Sequence, residues 1–214
     1  MFMKRFVPAA MAMFAFFCSG FVSESYLNRA IAETSKAETT TAAENKVKSM
    51  YPEFMELVKN GVNEAELTKF AKKNFDTEAI SKRFCGEKND KLIKTIIKFL
   101  IWRLKTEALQ SVKGYILEDE IQSIDKGKSV CAKCKLKGKT DTINMNVIFS
   151  KFGKTIGNIT ELVILEIPLI EGAKVPMKKY FEENGIKINK LKPAERAEKS
   201  CFALEEFIQE NSKK

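Results

Sequence analysis

The spacing of apolar and polar residues divides the chain into a helical first part, a stranded middle and a helical end. Helical periodicity begins at Glu44 and runs through Val47, Met50, Phe54, Leu57 and Val58 until Asn60-Gly61 stops it. Pro52 is a place for that helix to kink or restart. Asn63 with Glu66 has the form of a capping box before Leu67, Phe70 and Ala71. A short helix follows Asp76-Thr77, carries Ile80 and Phe84, and ends at Gly86. Asn89 caps a longer helix predicted to continue through Ala108 and Val112 to Gly114.

That longer helix is unusually apolar. Leu92, Ile93, Ile96, Ile97, Phe99, Leu100, Ile101, Trp102 and Leu104 are nine large apolar residues in a window of thirteen. On a helical wheel its aliphatic residues sweep about 200° of arc, roughly twice an ordinary core stripe. Lys94, Lys98 and Lys105 share the opposite side, while Arg103 falls inside the apolar arc. The run is too short and too interrupted by lysine to cross a bilayer. It must therefore be covered on more than one side, by protein, by a partner or by an apolar ligand.

After Gly114 the period changes to two. Tyr115–Ile124, Ser129–Lys137, Thr140–Lys151 and Thr155–Glu166 read as strands joined by Asp125-Lys126-Gly127, Gly138-Lys139 and Phe152-Gly153-Lys154. In the third, Ile143, Met145, Val147 and Phe149 alternate with polar residues. The fourth becomes apolar on both faces near its end. Met177–Asn184 is a short helix stopped by Gly185. Pro193 opens the last helix, with Ala197, Cys201, Leu204, Phe207 and Ile208 as its stripe. The fold class predicted is α+β: N-terminal helices, a curved antiparallel four-stranded meander and C-terminal helices, enclosing an apolar cavity. No internal repeat is present.

The first 32 residues stand apart from this pattern. MFMKRFVPAAMAMFAFFCSGFV has the basic head and apolar stretch of a secretory signal peptide, and Ala30-Ile31-Ala32 supplies a cleavage site. An uncleaved anchor through Phe6–Val22 is the alternative, at the short limit for a span; a lipoprotein is disfavoured because Cys18 follows Phe16-Phe17. The domain plan is then a signal peptide over 1–32, a flexible linker over 33–43 and a single domain over 44–214. Cleavage removes Lys4, Arg5, Arg29 and Glu24, so the net charge falls from +9 to +7. The lysines are dispersed rather than clustered, and no aromatic RNA-binding motif or zinc finger accompanies them, so nucleic acid is not a partner.

Candidate chemistry is sparse. The chain has no histidine, which removes Ser-His-Asp and Cys-His nucleophile systems and the usual zinc sites. Export would allow disulfides among Cys85, Cys131, Cys134 and Cys201, in any of three pairings if all four engage. Cys131-Ala-Lys-Cys134 has redox spacing, but it falls in a predicted strand, where residues i and i+3 point to opposite faces. Arg103 could meet an anionic head group at a pocket mouth or pair with a carboxylate. The Met145/Val147/Phe149 face could be core or ligand wall. Glu118-Asp119-Glu120 reads as a solvated edge. No carboxylate pair stands out as an acid/base couple, so the chain is read as a non-enzyme.

Taken in order, residues 44–191 resemble the MlaC or toluene-tolerance family of periplasmic phospholipid-binding proteins. VILEIPLIEGAKVPMKKYFEENGIKINKL places Glu166, Leu169, Asn184, Gly185 and Leu191 at the family's spacing. Upstream, NFDTEAISKRFCG is similar to the family's Phe-Asp, helix, glycine turn before its long central helix. Ile167 stands where the family has glycine, Met177 where it has an aromatic, and Gly157 or Asn158 where it has a strand tryptophan.

The resemblance implies a periplasmic carrier that holds a phospholipid as cargo, with no catalytic residue and no cofactor. It implies partners on both membranes: an outer-membrane lipoprotein–porin complex and an inner-membrane ABC transporter with a lipid-binding ring. The acyl chains are expected against Ile97, Leu100, Ile101, Met145, Val147, Phe149 and Ile164. Phe84, Arg103, Leu104, Leu169, Met177 and Phe181 complete the expected lining. The competing reading is an envelope adaptor that uses its apolar helix to dock a protein.

Overall fold

The computed structural model describes residue 33 and residues 36–57, 59–60, 63–108 and 112–212; the signal peptide read over residues 1–32 lies outside them. The chain divides into two compact units, residues 1–38 and 39–214. Of the first, residues 33 and 36–38 are described and are helical. The second contains all the elements below.

Helix α1 occupies residues 39–57 of this unit. Its start corrects the flexible linker placed over 33–43. Thr39 and Ala43 are fully buried and extend the stripe of Val47, Met50, Phe54 and Leu57. Small polar residues carry little helical signal of their own; packing against the rest of the fold supplies the stabilisation. Pro52 lies within the helix without ending it.

Helices α2 (Glu64–Asn74), α3 (Thr77–Cys85) and α4 (Asp90–Arg103) each begin on the side-chain cap read from the sequence. Asn63 accepts from Ala65 N at 2.9 Å, Asp76 from Ala79 N at 2.9 Å and Asn89 from Leu92 N at 3.0 Å. The regular α-helix of α4 ends at Arg103. It passes at Leu104 into a π-helical turn, Leu104–Ala108, a change of helical phase that apolar periodicity does not encode.

The wide apolar arc of α4 is covered by helices. α2, α3 and α6 (Pro193–Asn211) pack around it, burying Leu92, Ile96, Ile97, Phe99, Leu100 and Ile101. Phe99 and Trp102 meet Phe207 of α6 with ring centroids 6.2 and 5.2 Å apart.

Among the described residues the sheet has six antiparallel strands rather than four. The first predicted strand is broken into β1 (Ile116–Leu117) and β2 (Gln122–Asp125), both paired with the same side of β3 (Ser129–Lys137). The break contains Glu118-Asp119-Glu120, whose crowded charges disfavour a flat ladder, and Ile121, which is buried. β4 (Thr142–Phe152) and β5 (Thr155–Ile164) follow. β6 (Ile167–Pro168) closes a hairpin of two loop residues, Leu165 and Glu166, both at positive φ.

One face of this sheet is apolar throughout: Val130, Ala132, Cys134 and Leu136 stand opposite Phe149, Val147, Met145 and Ile143. On β5 the inward positions change parity. Ile164 and Leu162 face Met145 and Val147, but Phe149 faces Ile159, so Thr160 is an extra residue and β5 is bulged. Bulges of this kind increase twist and curve the sheet. After β6 come a short 3₁₀ turn (Glu171–Ala173), α5 (Lys174–Glu183), a second 3₁₀ turn (Ile188–Lys190) and α6. The fold is α+β with an open, curved antiparallel sheet, and its core runs continuously from the helices to the sheet face.

Candidate functional site

The bulge in β5 sets the position of α3. Asp76 N donates to Ile159 O at 2.8 Å, and Ser150 Oγ donates to Asp76 Oδ2 at 3.1 Å. Docked this way, α3 directs Arg83 back along the sheet. Its Nη2 donates to Thr160 O at 3.2 Å and its Nη1 to Glu171 Oε1 at 3.0 Å. Arg83 therefore ties α3 to the bulge and to the start of α5.

Glu161, one residue beyond the bulge, lies on the opposite face of β5 and is 4% exposed. Its carboxylate accepts from Ile170 N and Glu171 N, each at 2.8 Å, and from Leu162 N at 3.1 Å. Arg83 Nη1 stands 3.9 Å away. Burial pushes the Glu161 carboxyl above the usual range, against the opposing pull of those donors. The turn leading into α5 thus hangs on one buried acid.

On α5, Lys174, Met177, Lys178, Phe181 and Glu182 repeat at helical spacing and share a face. Gly185, at φ 64°, ends the helix in a left-handed turn, and Ile186 N returns to Phe181 O at 2.7 Å. That return places Ile186 over the same face. Arg196 and Ser200, one turn apart on α6, form the opposite side. Arg196 Nη2 donates to the carbonyls of Ile188 and Leu191 at 3.2 and 3.4 Å.

Together these residues enclose an open cleft of about 550 Å³ between α3, α5 and α6. Its walls are Phe84, Met177, Phe181, Ile186 and Ile188, with Ser200 beside them. Its rim holds Arg83, Lys174, Lys178 and Arg196 against one carboxylate, Glu182. Some of that charge is balanced locally, since Lys178 stands 3.7 Å from Glu182 and Lys174 pairs with Glu171. An apolar slot with a cationic rim suits an amphiphile with a negative head.

Of the residues expected to line a lipid site, Phe84, Met177 and Phe181 come together in this cleft. Ile97, Leu100, Ile101, Leu104, Met145, Val147, Phe149, Ile164 and Leu169 sit in the buried core and do not line the cleft. Arg103 is at neither place. It pairs with Glu107 at 2.7 Å, donates to Pro168 O at 3.4 Å and lies 5.9 Å from the Phe99 ring. Of the two roles open to it, the ion pair is the one formed. Arg83, Lys174, Lys178, Ile186, Arg196 and Ser200 escaped the sequence reading. The five-residue repeat on α5 was the available signal; Arg196 and Ser200 had none, because only the folding of α6 against α5 makes them neighbours of the cleft.

The described cysteines do not form a reactive centre. Among the described residues, Cys85, Cys131, Cys134 and Cys201 are buried free thiols. Cys131 and Cys134 lie on opposite faces of β3, and burial pushes the Cys134 thiol up to about 12, away from the thiolate that redox chemistry needs. No group of three or more His, Cys, Asp or Glu residues able to hold a metal occurs among the described residues, nor is any described helix long and apolar enough to cross a membrane.

No family model matches the chain, and no curated protein matches it. Among solved structures, the fold is similar to that of the phospholipid-binding protein from Ralstonia solanacearum, determined in complex with a phospholipid. The two share 14% sequence identity with a TM-score of 0.50, over 75% of this chain and 98% of the other.

Proposed function

We propose that this chain is a non-catalytic, exported carrier of membrane phospholipid, of the MlaC type, with the cleft between α3, α5 and α6 as a binding place. The observation that carries the reading is the pairing of an apolar cleft with a cationic rim on a fold similar to that of a phospholipid-binding protein. Each methylene taken from water contributes about 0.8 kcal/mol, so acyl chains are held without covalent chemistry, cofactor or metal. Release then requires a partner or an opening motion. The signal peptide over residues 1–32 would deliver the chain to the periplasm. There it would pass lipid between an outer-membrane lipoprotein–porin complex and an inner-membrane ABC transporter with a lipid-binding ring.

Native mass spectrometry of the mature protein, purified from envelope extracts without detergent, tests the carrier reading. The expected result is a lipid adduct at near one per chain, identified in parallel by extraction. A bare protein mass, with no uptake from labelled liposomes, would sink it. The adaptor reading draws support from a second groove between α5 and α6, where Phe202 is 61% exposed beside Tyr180, Glu183, Glu206 and Glu210. Protein capture at that groove without lipid uptake would favour the adaptor instead.

A further inference from the structure

A carrier could take one acyl chain or two, and a neutral or charged head; the cleft bears on both choices. A methylene fills roughly the volume of a water molecule, ~30 Å³, so a cleft of about 550 Å³ takes on the order of 18 methylenes. That is one long acyl chain. A second chain would lie outside the apolar walls of Phe84, Met177 and Phe181.

The α6 side of the cleft adds a polar feature that the fold itself does not use. Arg196 Nε and Ser200 Oγ are buried and have no hydrogen-bond partner among the described residues. Ser200 is 1% exposed. Both residues line the cleft, one helical turn apart. The Arg196 guanidinium is held in place by the carbonyls that Nη2 serves, which leaves Nε as a fixed donor. Buried donors without acceptors are costly and rare in folded proteins. Two of them on residues that line an apolar slot, with a rim richer in cations than in carboxylates, fit a receptor for an oxyanion.

Resting on the carrier reading, we infer that the cleft holds one acyl chain of its lipid and binds that lipid's anionic oxyacid head. The head accepts hydrogen bonds from Arg196 Nε–H and Ser200 Oγ–H, and the one chain lies along Phe84, Met177 and Phe181. A carboxylate from a free fatty acid and a phosphate from a lysophospholipid present the same chemistry.

The test is calorimetric titration of the delipidated mature protein with four probes. They are palmitate, palmitoyl lysophosphatidate, neutral monopalmitoylglycerol and vesicles of dipalmitoylphosphatidylglycerol. The two anionic single-chain probes should bind at one per chain, the tighter of them naming the source of the head. Monopalmitoylglycerol should bind roughly tenfold weaker or more, since it lacks the charge-assisted bonds. Ser200→Ala should weaken the anionic probes several-fold and Arg196→Gln about tenfold, with monopalmitoylglycerol weakened less than either, so that the preference for a charged head falls in each variant while an unchanged far-UV circular dichroism spectrum shows that the fold is kept. Equal affinity for charged and neutral heads in the unmodified protein overturns the inference, as does a variant that weakens every probe alike. Tight uptake of the two-chain lipid with none of the single-chain probes overturns it and leaves the carrier reading standing. No uptake of any probe removes both.

Discussion

Glu161 shows how much one side chain can organise. It is buried, raised in pKa by that burial, and yet it holds the backbone of Ile170 and Glu171 where α5 begins. A carboxyl whose folded pKa lies above its unfolded value contributes stability that is fully present below the ordinary glutamate range. That contribution is lost as pH rises through the folded value. Urea denaturation across pH should therefore show the native protein losing stability relative to Glu161→Gln as pH climbs above about 4.5. The variant should start lower by about 1–3 kcal/mol, because an amide offers one acceptor oxygen where the fold uses two. Parallel pH profiles for the two proteins would show that Glu161 does not titrate in this way. Two other residues, Leu165 and Glu166, adopt positive φ in the β5–β6 hairpin, where left-handed backbone disfavours ordinary side chains. Replacing them with Asn-Gly should stabilise the protein by about 1 kcal/mol and raise Tm by roughly 2–4 °C; a lower Tm would mean that Leu165 or Glu166 makes a contact worth more than the strain.

Among the elements, the β4–β5 hairpin and α4 fared differently between sequence and fold. The strands were legible because Ile143, Met145, Val147 and Phe149 alternate without interruption, and that face is the one buried. The bulge at Thr160 was not legible, since one inserted residue leaves a two-residue alternation intact on either side of it. Gly157 illustrates the local fit. A Cβ there would come within 2.1 Å of Ser150 Oγ and 3.0 Å of Phe152 Cε2. Gly157→Ala should consequently cost about 1–3 kcal/mol in denaturant unfolding and disturb the Ser150 to Asp76 bond that seats α3. A neutral substitution would show that the hairpin yields easily. For α4 the cap and the wide arc were both legible, but its end was not. At that end Arg103 pairs with Glu107, four residues on, and reaches Pro168 O, a partner that only the tertiary structure brings near.

For the molecule as a whole, the position of the apolar cleft matters most. The sequence placed an apolar lining mostly on the sheet face and α4, completed by Phe84, Met177 and Phe181, and it is these last three that line the open apolar cleft between α3, α5 and α6. Met177 and Phe181 belong to it, so a bulky substitution should separate binding from folding. Met177→Trp is expected to fill the slot and lower acyl-ligand affinity about tenfold or more, while the Tm without ligand moves by no more than a few degrees. Ligand-induced stabilisation reports the loss directly: at a concentration of 100 Kd the native protein should gain about 2.7 kcal/mol, and the variant much less. Undiminished affinity in Met177→Trp would place the lipid elsewhere, against the core residues Met145, Val147 and Phe149.

The sequence by itself determined what depends on neighbours along the chain: the caps at Asn63, Asp76 and Asn89, the stop at Gly185, the apolar face of β4 and the α+β order of elements. Local periodicity and turn chemistry act over a few residues and can be read there. Tertiary structure decided what depends on neighbours across the chain. It buried Thr39 and Ala43 and made their segment helical, broke the first strand at its acidic cluster, and bulged β5 so that Arg83 and Glu161 meet. It also brought Arg196 and Ser200 of α6 to a cleft whose other walls lie on α3 and α5. Those pairings lie tens of residues apart or more, and only the burial of a shared core selects them.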